Sequence, residues 1–153
     1  MPIDNRYFKQ QHRLFRDAVS NFVKTELLPN VDEFEEQGFI PRSVFKQMGG
    51  LGFLGLEYDN KFGGAESDFW MTIVLAEELA KCKSGGVGFS IIVHTDMSSP
   101  WLHKYGNDTQ KTAFLPEIIN GNQICALAIT EPDAGSDMAR ISTSAIKNYI
   151  QDA

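Results

Sequence analysis

Cysteine is scarce in this sequence, and so are long apolar runs. The 153 residues include 2 cysteines, Cys82 and Cys125, which lie far apart in apolar surroundings. So few thiols exclude a disulfide scaffold or a thiolate metal site and favour a reducing compartment. The longest apolar-leaning stretch, residues 87–93, is much too short to cross a bilayer, and residues 2–11 are too polar for a signal peptide. We therefore expect a cytoplasmic protein with no membrane span, or one of the mitochondrial matrix after removal of a transit peptide.

Positive charge is the second shortage. The chain carries 14 Lys and Arg against 20 Asp and Glu, a formal net charge of -6. A surface of this sign repels phosphate backbones, so we expect no nucleic-acid partner. The 3 histidines, His12, His94 and His103, have no spacing that converges on a metal with Asp or Cys partners, so no metal is predicted. Hydrophobic residues make up 42% of the chain, which is too many for a disordered protein, so we expect a folded one.

Apolar residues recur at helical spacing through most of the chain. A first stripe predicts an amphipathic helix from about Asn5 to about Lys24. A later stripe predicts a helix from about Asp68 to about Lys81, with Glu77 and Glu78 close to the solvent side. Two shorter helices, bounded by glycine and proline, are expected between them. The first stripe consists of Phe15, Ala18, Val19, Phe22 and Val23.

A more evenly apolar stretch runs from Gly86 to Met97. Its Val, Ile and Phe residues fall on all sides of the element, whether the helical or the strand period is assumed. This pattern predicts an element that is buried on most sides, either a central helix or a strand. Asn107, with Gln110 three residues later, has the spacing of a capping box. This pair predicts the start of a further helix.

The pattern changes after a turn-rich Asn-Gly-Asn segment. The continuous apolar run Ile124–Thr130 has the length of a strand, residues 131–137 predict a loop, and residues 141–146 are compatible with a second strand. We therefore predict a mainly α chain, in which an N-terminal all-α helical bundle over residues 1–121 is followed over residues 122–153 by the first strands of a β-domain. Two strands are marginal by themselves, so we expect this second domain to be incomplete within the 153 residues.

The loop after the first predicted strand is rich in small hydrogen-bonding residues. Thr130 ends the strand with a hydroxyl, Gly135 allows close approach or a positive φ, and Ser136 offers a hydroxyl and a backbone N–H. Such a ledge suits a flat heteroaromatic ligand with a polar edge. By spacing alone, a plain turn capped by Thr, Ser and Asp is the commoner interpretation of these residues, and both stay open at this point.

Residues 128–137, with the sequence AITEPDAGSD, resemble the flavin-site signature of the acyl-CoA dehydrogenase family. The family's spacing continues with Ile141, Thr143 and Ala145. Residues 106–116 resemble the segment that precedes this signature in the family, and residues 61–64 resemble its Gly-Gly loop before the fourth helix. The sequence departs from the family at Asp59, where relatives commonly carry proline, and at Arg140, where a small residue is usual.

The resemblance implies that FAD lies against the predicted strand and loop. The backbone around Leu127, Ala128 and Ile129 would face the pyrimidine edge of the flavin, and Thr130 would hydrogen-bond the isoalloxazine ring. Ser136 would contact FAD or the pantetheine arm of an acyl-CoA. In the family, later strands and residues of the partner subunit hold the rest of FAD. We therefore expect weak or no FAD retention by this chain alone.

The resemblance also implies a substrate and a reaction. In the family an acyl-CoA thioester undergoes α,β-dehydrogenation, in which a Glu carboxylate removes the α-proton and the β-hydrogen leaves as hydride to flavin N5. Phe89, Ile92 and Val93 would help to line the acyl tunnel. The family's Glu base belongs to a C-terminal helical domain, and we propose neither Glu57 nor Glu131 as a substitute. No catalytic residue is therefore predicted within this sequence.

Partners and alternatives follow from the same resemblance. It implies an electron acceptor such as electron-transfer flavoprotein, and a homotetramer or homodimer for the full-length protein. An acyl-CoA oxidase or a nitroalkane-oxidase-like flavoenzyme would share the flavin ledge and differ in how reduced flavin meets oxygen. A non-catalytic helical scaffold module, which keeps the fold as a surface for a partner, is the alternative of another class.

Overall fold

Helical segments account for most of residues 7–146, the part of the chain that the computed structural model describes, and seven of them are α-helices. They are α1 (Gln10–Phe22), α2 (Val31–Gln37), α3 (Arg42–Gly50), α4 (Phe69–Leu79), α5 (Gly85–Ile92), α6 (Ser99–Tyr105) and α7 (Asp108–Ile119). Short 3-10 and π turns join several of them. Within the described residues no helix combines the length and the apolar character that crossing a bilayer requires. The predicted mainly α helical bundle is confirmed.

Helix α1 begins later than the sequence predicts. Asn5 lies outside the described residues, and Lys9 has an extended backbone with φ -79 and ψ 178. The N–H of Lys9 donates to Nδ1 of the buried His12 at 2.8 Å, and this bond marks the helix start. At its other end the helix continues through a π turn, Val23–Leu27, beyond the predicted end near Lys24.

Helix α4 confirms the predicted helix after Asp68, whose side chain caps it by accepting from the N–H of Trp70. The prediction that Glu78 lies close to the solvent side is wrong, because its side chain is 0% exposed. Nη1 of Arg16, in α1, lies 2.6 Å from Oε1 of Glu78, and Nζ of Lys81 lies 2.7 Å from the same oxygen. Burial acts to raise the pKa of Glu78, but hydrogen bonds from Lys81 and Arg16 lower it overall. This buried charge cluster ties α1 to α4.

One apolar core joins helices α1 to α5. The ring of Phe53, in the loop after α3, meets Phe15 and Phe22 of α1 edge-on, with centroids 5.5 and 5.8 Å away. Leu75 and Leu79 of α4 are fully buried in the same core. Each such leucine contributes about 2 kcal/mol of hydrophobic stabilisation. A smaller apolar cluster ties α7 to the loop after α3 and consists of Tyr58, Phe62, Leu115 and Ile119.

The turn after α7 lies directly against α3 at two glycines. A Cβ on Gly121 would lie 2.1 Å from the carbonyl oxygen of Phe45, and its φ of +69 also favours glycine. A Cβ on Gly49 would lie 2.4 Å from the carbonyl carbon of Asn120. Backbone contact at these two points fixes where the chain leaves the bundle.

The predicted strands do not form in the described residues. Neither Ile124–Thr130 nor residues 141–146 are assigned as strand, and residues 147–153 lie outside the description. The β-structure found beyond α7 is one isolated antiparallel bridge between Glu131 and Ala134. A strand needs hydrogen bonds from a neighbouring strand, and residues 7–146 supply no such neighbour.

Candidate cofactor and substrate site

The chain leaves the helical bundle at Cys125. The backbone N–H of Cys125 donates to Nδ1 of His94 with an N to N distance of 3.0 Å. The preceding residue, Ile124, packs against the core of α1 to α5. The two partners of the hydrogen bond are 31 residues apart in sequence, so no local pattern could have revealed the contact.

His94 occupies the π turn Val93–Ser98 that follows α5, and it is 0% exposed. Its ring meets the ring of Phe45 edge-on, with the centroids 5.4 Å apart. Burial lowers the pKa of His94, and the nearby backbone of Ile118 opposes this shift only in part, so the ring is neutral near pH 7. Because Nδ1 of the neutral ring accepts a hydrogen bond, the ring proton is on Nε2. The Nε2–H group makes no hydrogen bond within residues 7–146.

The segment Leu127–Thr130 presents free backbone groups. Its N–H and C=O groups have no hydrogen-bond partner among the residues that the structure describes. Ile129 is 43% exposed, and the Thr130 side chain also reaches the surface. A run of unpaired donors and acceptors with one hydroxyl matches the polar edge of a heteroaromatic ring such as the flavin pyrimidine.

Glu131 holds the loop that follows Thr130. Its carboxylate accepts from the N–H and the hydroxyl of Ser142 at 2.8 and 2.9 Å and from the N–H of Thr143 at 2.8 Å. These bonds, first that from the Ser142 backbone, lower the pKa of Glu131 to about 2. A carboxylate that is so strongly stabilised as an anion is a poor proton acceptor near pH 7.

Ser136 and Gly135 lie on the exposed outer side of this loop. A Cβ added to Gly135 would meet no heavy atom within 4 Å, and its backbone lies outside the left-handed region. Gly135 therefore does not adopt the positive φ that glycine allows, and its open side leaves room for the close approach of a ligand. The hydroxyl of Ser136 stays available, because it has no hydrogen-bond partner within residues 7–146.

Helix α5 presents Phe89 at the surface rather than in the interior. Val87 and Ile91 are buried, whereas Phe89 is 58% exposed and Ile92 and Val93 are half-buried. The prediction of an element buried on most sides is wrong because only one face of α5 packs on the core. Phe89 and Ile92 border a shallow hollow of 280 Å³. An apolar wall of this kind suits an acyl chain.

Sequence analysis missed a groove of 490 Å³ that lies between the loop after α3 and helix α6. Tyr58 lines it and is anchored by its hydroxyl, which lies 2.7 Å from the hydroxyl of Ser99. Burial, together with the charge of Glu57, raises the pKa of Asp96 in this groove to about 6. An aspartate within the largely apolar stretch Gly86–Met97 was the available signal. His103, also in the groove, lies 3.4 Å from the carboxylate of Asp59.

The predicted site residues form two separate surfaces. Leu127–Thr130 form one continuous segment that is half-buried at Leu127 and exposed from Ala128 onward, and Phe89 and Ile92 border the hollow beside α5. Neither Thr130 nor Ser136 lines that hollow or the groove at Asp96. The donor set of the described residues therefore fits the edge of FAD, while the volume that would enclose the rings is not formed by residues 7–146.

Comparison with known proteins identifies the family of the chain. The family profile described as "Acyl-CoA dehydrogenase, N-terminal domain" matches residues 9–122. The mouse (Mus musculus) protein "Long-chain specific acyl-CoA dehydrogenase, mitochondrial" is 37% identical over 140 residues, covering 92% of this chain and 32% of the relative. The chain thus spans about a third of the length of the curated relatives that it matches.

Solved structures show the same fold. An acyl-CoA dehydrogenase from Geobacillus kaustophilus superposes with a TM-score of 0.84 at 41% identity, over 94% of this chain and 37% of that one. An acyl-CoA dehydrogenase from Bacillus anthracis, solved in complex with FAD, gives a TM-score of 0.84 at 27% identity, over 91% of this chain and 24% of that one. Because the family profile covers more than half of the residues, this chain belongs to the acyl-CoA dehydrogenase family.

Proposed function

We propose that this chain supplies the helical domain and the flavin-edge segment of an FAD-dependent acyl-CoA dehydrogenase. The observation that carries the proposal is the segment Leu127–Thr130, which is half-buried at Leu127 and exposed over the next three residues, and whose backbone groups are unpaired within the described residues. This segment begins just after the anchored Cys125 and lies at the start of the family's flavin signature. We divide the chain into the helical domain, residues 1–121, and the beginning of a β-domain, residues 122–153.

The cofactor of this proposal is FAD, which when bound accepts the hydride from the β-carbon of the substrate. The backbone of Leu127, Ala128 and Ile129 pairs with its pyrimidine edge, and the hydroxyl of Thr130 hydrogen-bonds the ring. Ser136, on the exposed loop, contacts either the cofactor or the pantetheine arm of the substrate. The FAD complex of the Bacillus anthracis relative supports this choice of cofactor.

An acyl-CoA thioester is the proposed substrate. Phe89, Ile92 and Val93 provide an apolar wall for the acyl chain, supported by the exposure of Phe89 and by the hollow that it borders. Neither Glu131 nor Glu57 takes the α-proton in this proposal. The bonds from residues 142 and 143 hold Glu131 as an anion, and Glu57 is exposed and accepts from the hydroxyl of Thr72 at 2.8 Å. A Glu elsewhere in the full-length protein serves as the base.

The reduced flavin passes its electrons to an acceptor such as electron-transfer flavoprotein. The full-length protein is a homotetramer or a homodimer. It is located in the cytoplasm or in the mitochondrial matrix. The mitochondrial description of the mouse relative supports the second location.

Reconstitution of the full-length protein with FAD tests the proposal. We expect one FAD per chain, bleaching of the flavin absorbance by an acyl-CoA under anaerobic conditions, and turnover with an artificial electron acceptor. Rapid peroxide formation under air, with no advantage from the acceptor, would identify an oxidase instead. Failure to retain FAD would contradict the flavoenzyme and favour the non-catalytic scaffold.

A further inference from the structure

We propose that His94 is a positioning residue, whose Nδ1 holds the N–H of Cys125 and thereby fixes the flavin-facing segment Leu127–Thr130 to the helical bundle. The inference rests on the function proposed above, because it concerns how the chain places the residues that meet the flavin edge. His94 itself contacts neither cofactor nor substrate in this account.

The contact is the last hydrogen bond between the bundle and the flavin-facing part of the chain. Beyond Cys125, every hydrogen bond found within the described residues has both of its partners in residues 126–146. The bridge between Glu131 and Ala134 and the bonds from Glu131 to residues 142 and 143 therefore shape the loop without attaching it to the bundle. Leu127 lies two residues beyond the anchor, so displacement of Cys125 displaces Leu127–Thr130 with it.

The acceptor is itself held firmly. The ring of His94 is fully buried, lies edge-on to Phe45, and sits in a π turn, a local widening of the helix that is frequent at functional sites. Phe45 also has its carbonyl directly against Gly121 in the turn that leads to Cys125. The same part of α3 thus supports both the histidine ring and the departing chain.

The proposal predicts that Nδ1 of His94, and not Nε2, is needed to hold the N–H of Cys125. In the variant His94→Asn the side-chain oxygen takes the place of Nδ1 and keeps an acceptor for Cys125. In His94→Gln the amide lies where Nε2 was and leaves the N–H of Cys125 unpaired. Because the Cys125 N–H is part-buried and loses its acceptor, we expect amide exchange at Cys125 to speed up about tenfold in His94→Gln.

The experiment measures two quantities in the full-length protein. Amide hydrogen exchange is recorded without FAD, and the dissociation constant of FAD is measured by quenching of flavin fluorescence. We expect His94→Gln to raise the dissociation constant about tenfold and His94→Asn to stay within about threefold of the wild type in both measurements. Equal effects of the two variants, or no effect of His94→Gln, would overturn the proposal.

A second pair of variants keeps the test decisive if His94→Gln does not fold. Cys125→Pro removes the donor and leaves His94 intact, and Cys125→Ala is the matched variant that retains the N–H. Weaker FAD binding by Cys125→Pro than by Cys125→Ala supports the anchor, and equal binding overturns it. If the wild-type protein binds no FAD, the proposed function fails, and the exchange rate of the Cys125 amide in the two His94 variants then decides on the anchor alone.

Discussion

Glu131 accepts two hydrogen bonds from one residue, Ser142, through the backbone N–H at 2.8 Å and the hydroxyl at 2.9 Å. A third bond comes from the N–H of Thr143, also at 2.8 Å. These contacts close the loop that carries Ser136, so the carboxylate next to Thr130 serves the shape of the loop. The role is structural even though Glu131 stands inside the family's flavin signature.

Replacement of Glu131 by Gln tests this role. The amide keeps one acceptor oxygen, but its NH₂ group faces backbone N–H donors, so the loop loses bonds to residues 142 and 143. We expect faster amide exchange at Ser142 and Thr143, with unchanged exchange in the buried helix α4. Glu117→Gln, which alters an exposed glutamate of α7, is the matched control. Unchanged exchange in Glu131→Gln would show that the carboxylate does not hold the loop.

The order of this loop depends on pH with a defined sign. The pKa of Glu131 is lowered to about 2 from the ordinary value of 4.5. A carboxylate whose pKa is lowered in the folded state stabilises that state above its unfolded pKa, and this contribution is lost as pH falls through the folded value. We expect protection of the Ser142 amide to be complete above about pH 4.5 and to fall toward pH 2. Protection lost already at pH 6 would contradict the assignment.

Thr130→Val tests the proposed hydrogen bond to the flavin ring. The change removes a hydroxyl at little change in volume from an exposed side chain, so the fold should be unaffected. We expect the dissociation constant of FAD to rise about fivefold, which is the change expected from the loss of one neutral hydrogen bond. Thr130→Ser retains the hydroxyl and is the control that should bind FAD as the wild type does. Identical FAD affinity in the valine and serine variants would remove Thr130 from the site.

Glu78→Gln tests the buried charge cluster between α1 and α4. Loss of the buried charge weakens the bonds from Arg16, which keeps Glu77 as a partner, and from the exposed Lys81, and we expect the free energy of unfolding to fall by about 2 kcal/mol. The neighbouring Glu77→Gln is the control. Because Glu77 is half exposed, its replacement should lower the free energy of unfolding by less than about 1 kcal/mol. Urea unfolding measures the free energy of unfolding of both variants. Similar small losses in the two variants would mean that the buried pair contributes little.

Phe89→Ala tests the proposed acyl wall. Because Phe89 is 58% exposed, its removal should change the free energy of unfolding by no more than about 0.5 kcal/mol. We expect a higher Michaelis constant for long acyl-CoA substrates and little change for short ones. The control is Phe114→Ala on α7, where the side chain is 46% exposed. An unchanged chain-length profile would exclude Phe89 from the acyl path.

The sequence predicted the helices well because the helical period is a local property. The capping box of Asn107 and Gln110 is found as expected, and the helix predicted from about Asp68 begins directly after that residue, since both depend on residues close together in sequence. Glu78 was placed on the wrong side because its burial depends on Arg16, which lies 62 positions earlier. Phe89 was placed wrongly for a related reason: an apolar helix does not reveal which of its faces meets the core.

The site was predicted less completely than the helices. The signature located Thr130 and Ser136, but a strand over Ile124–Thr130 requires a neighbouring strand that the described residues do not contain. The hydrogen bond between His94 and Cys125 joins residues far apart in the chain, and no spacing rule predicts such a contact. Tertiary contacts, rather than local propensity, therefore set the position of the segment Leu127–Thr130.

The central claim, that Leu127–Thr130 hold the edge of the flavin, is tested most directly by amide hydrogen exchange of the full-length protein with and without saturating FAD. The account predicts that FAD slows exchange at Leu127, Ala128, Ile129 and Thr130, whose amides lack partners among residues 7–146. Stoichiometric binding of FAD with unchanged exchange at all of these amides would contradict it.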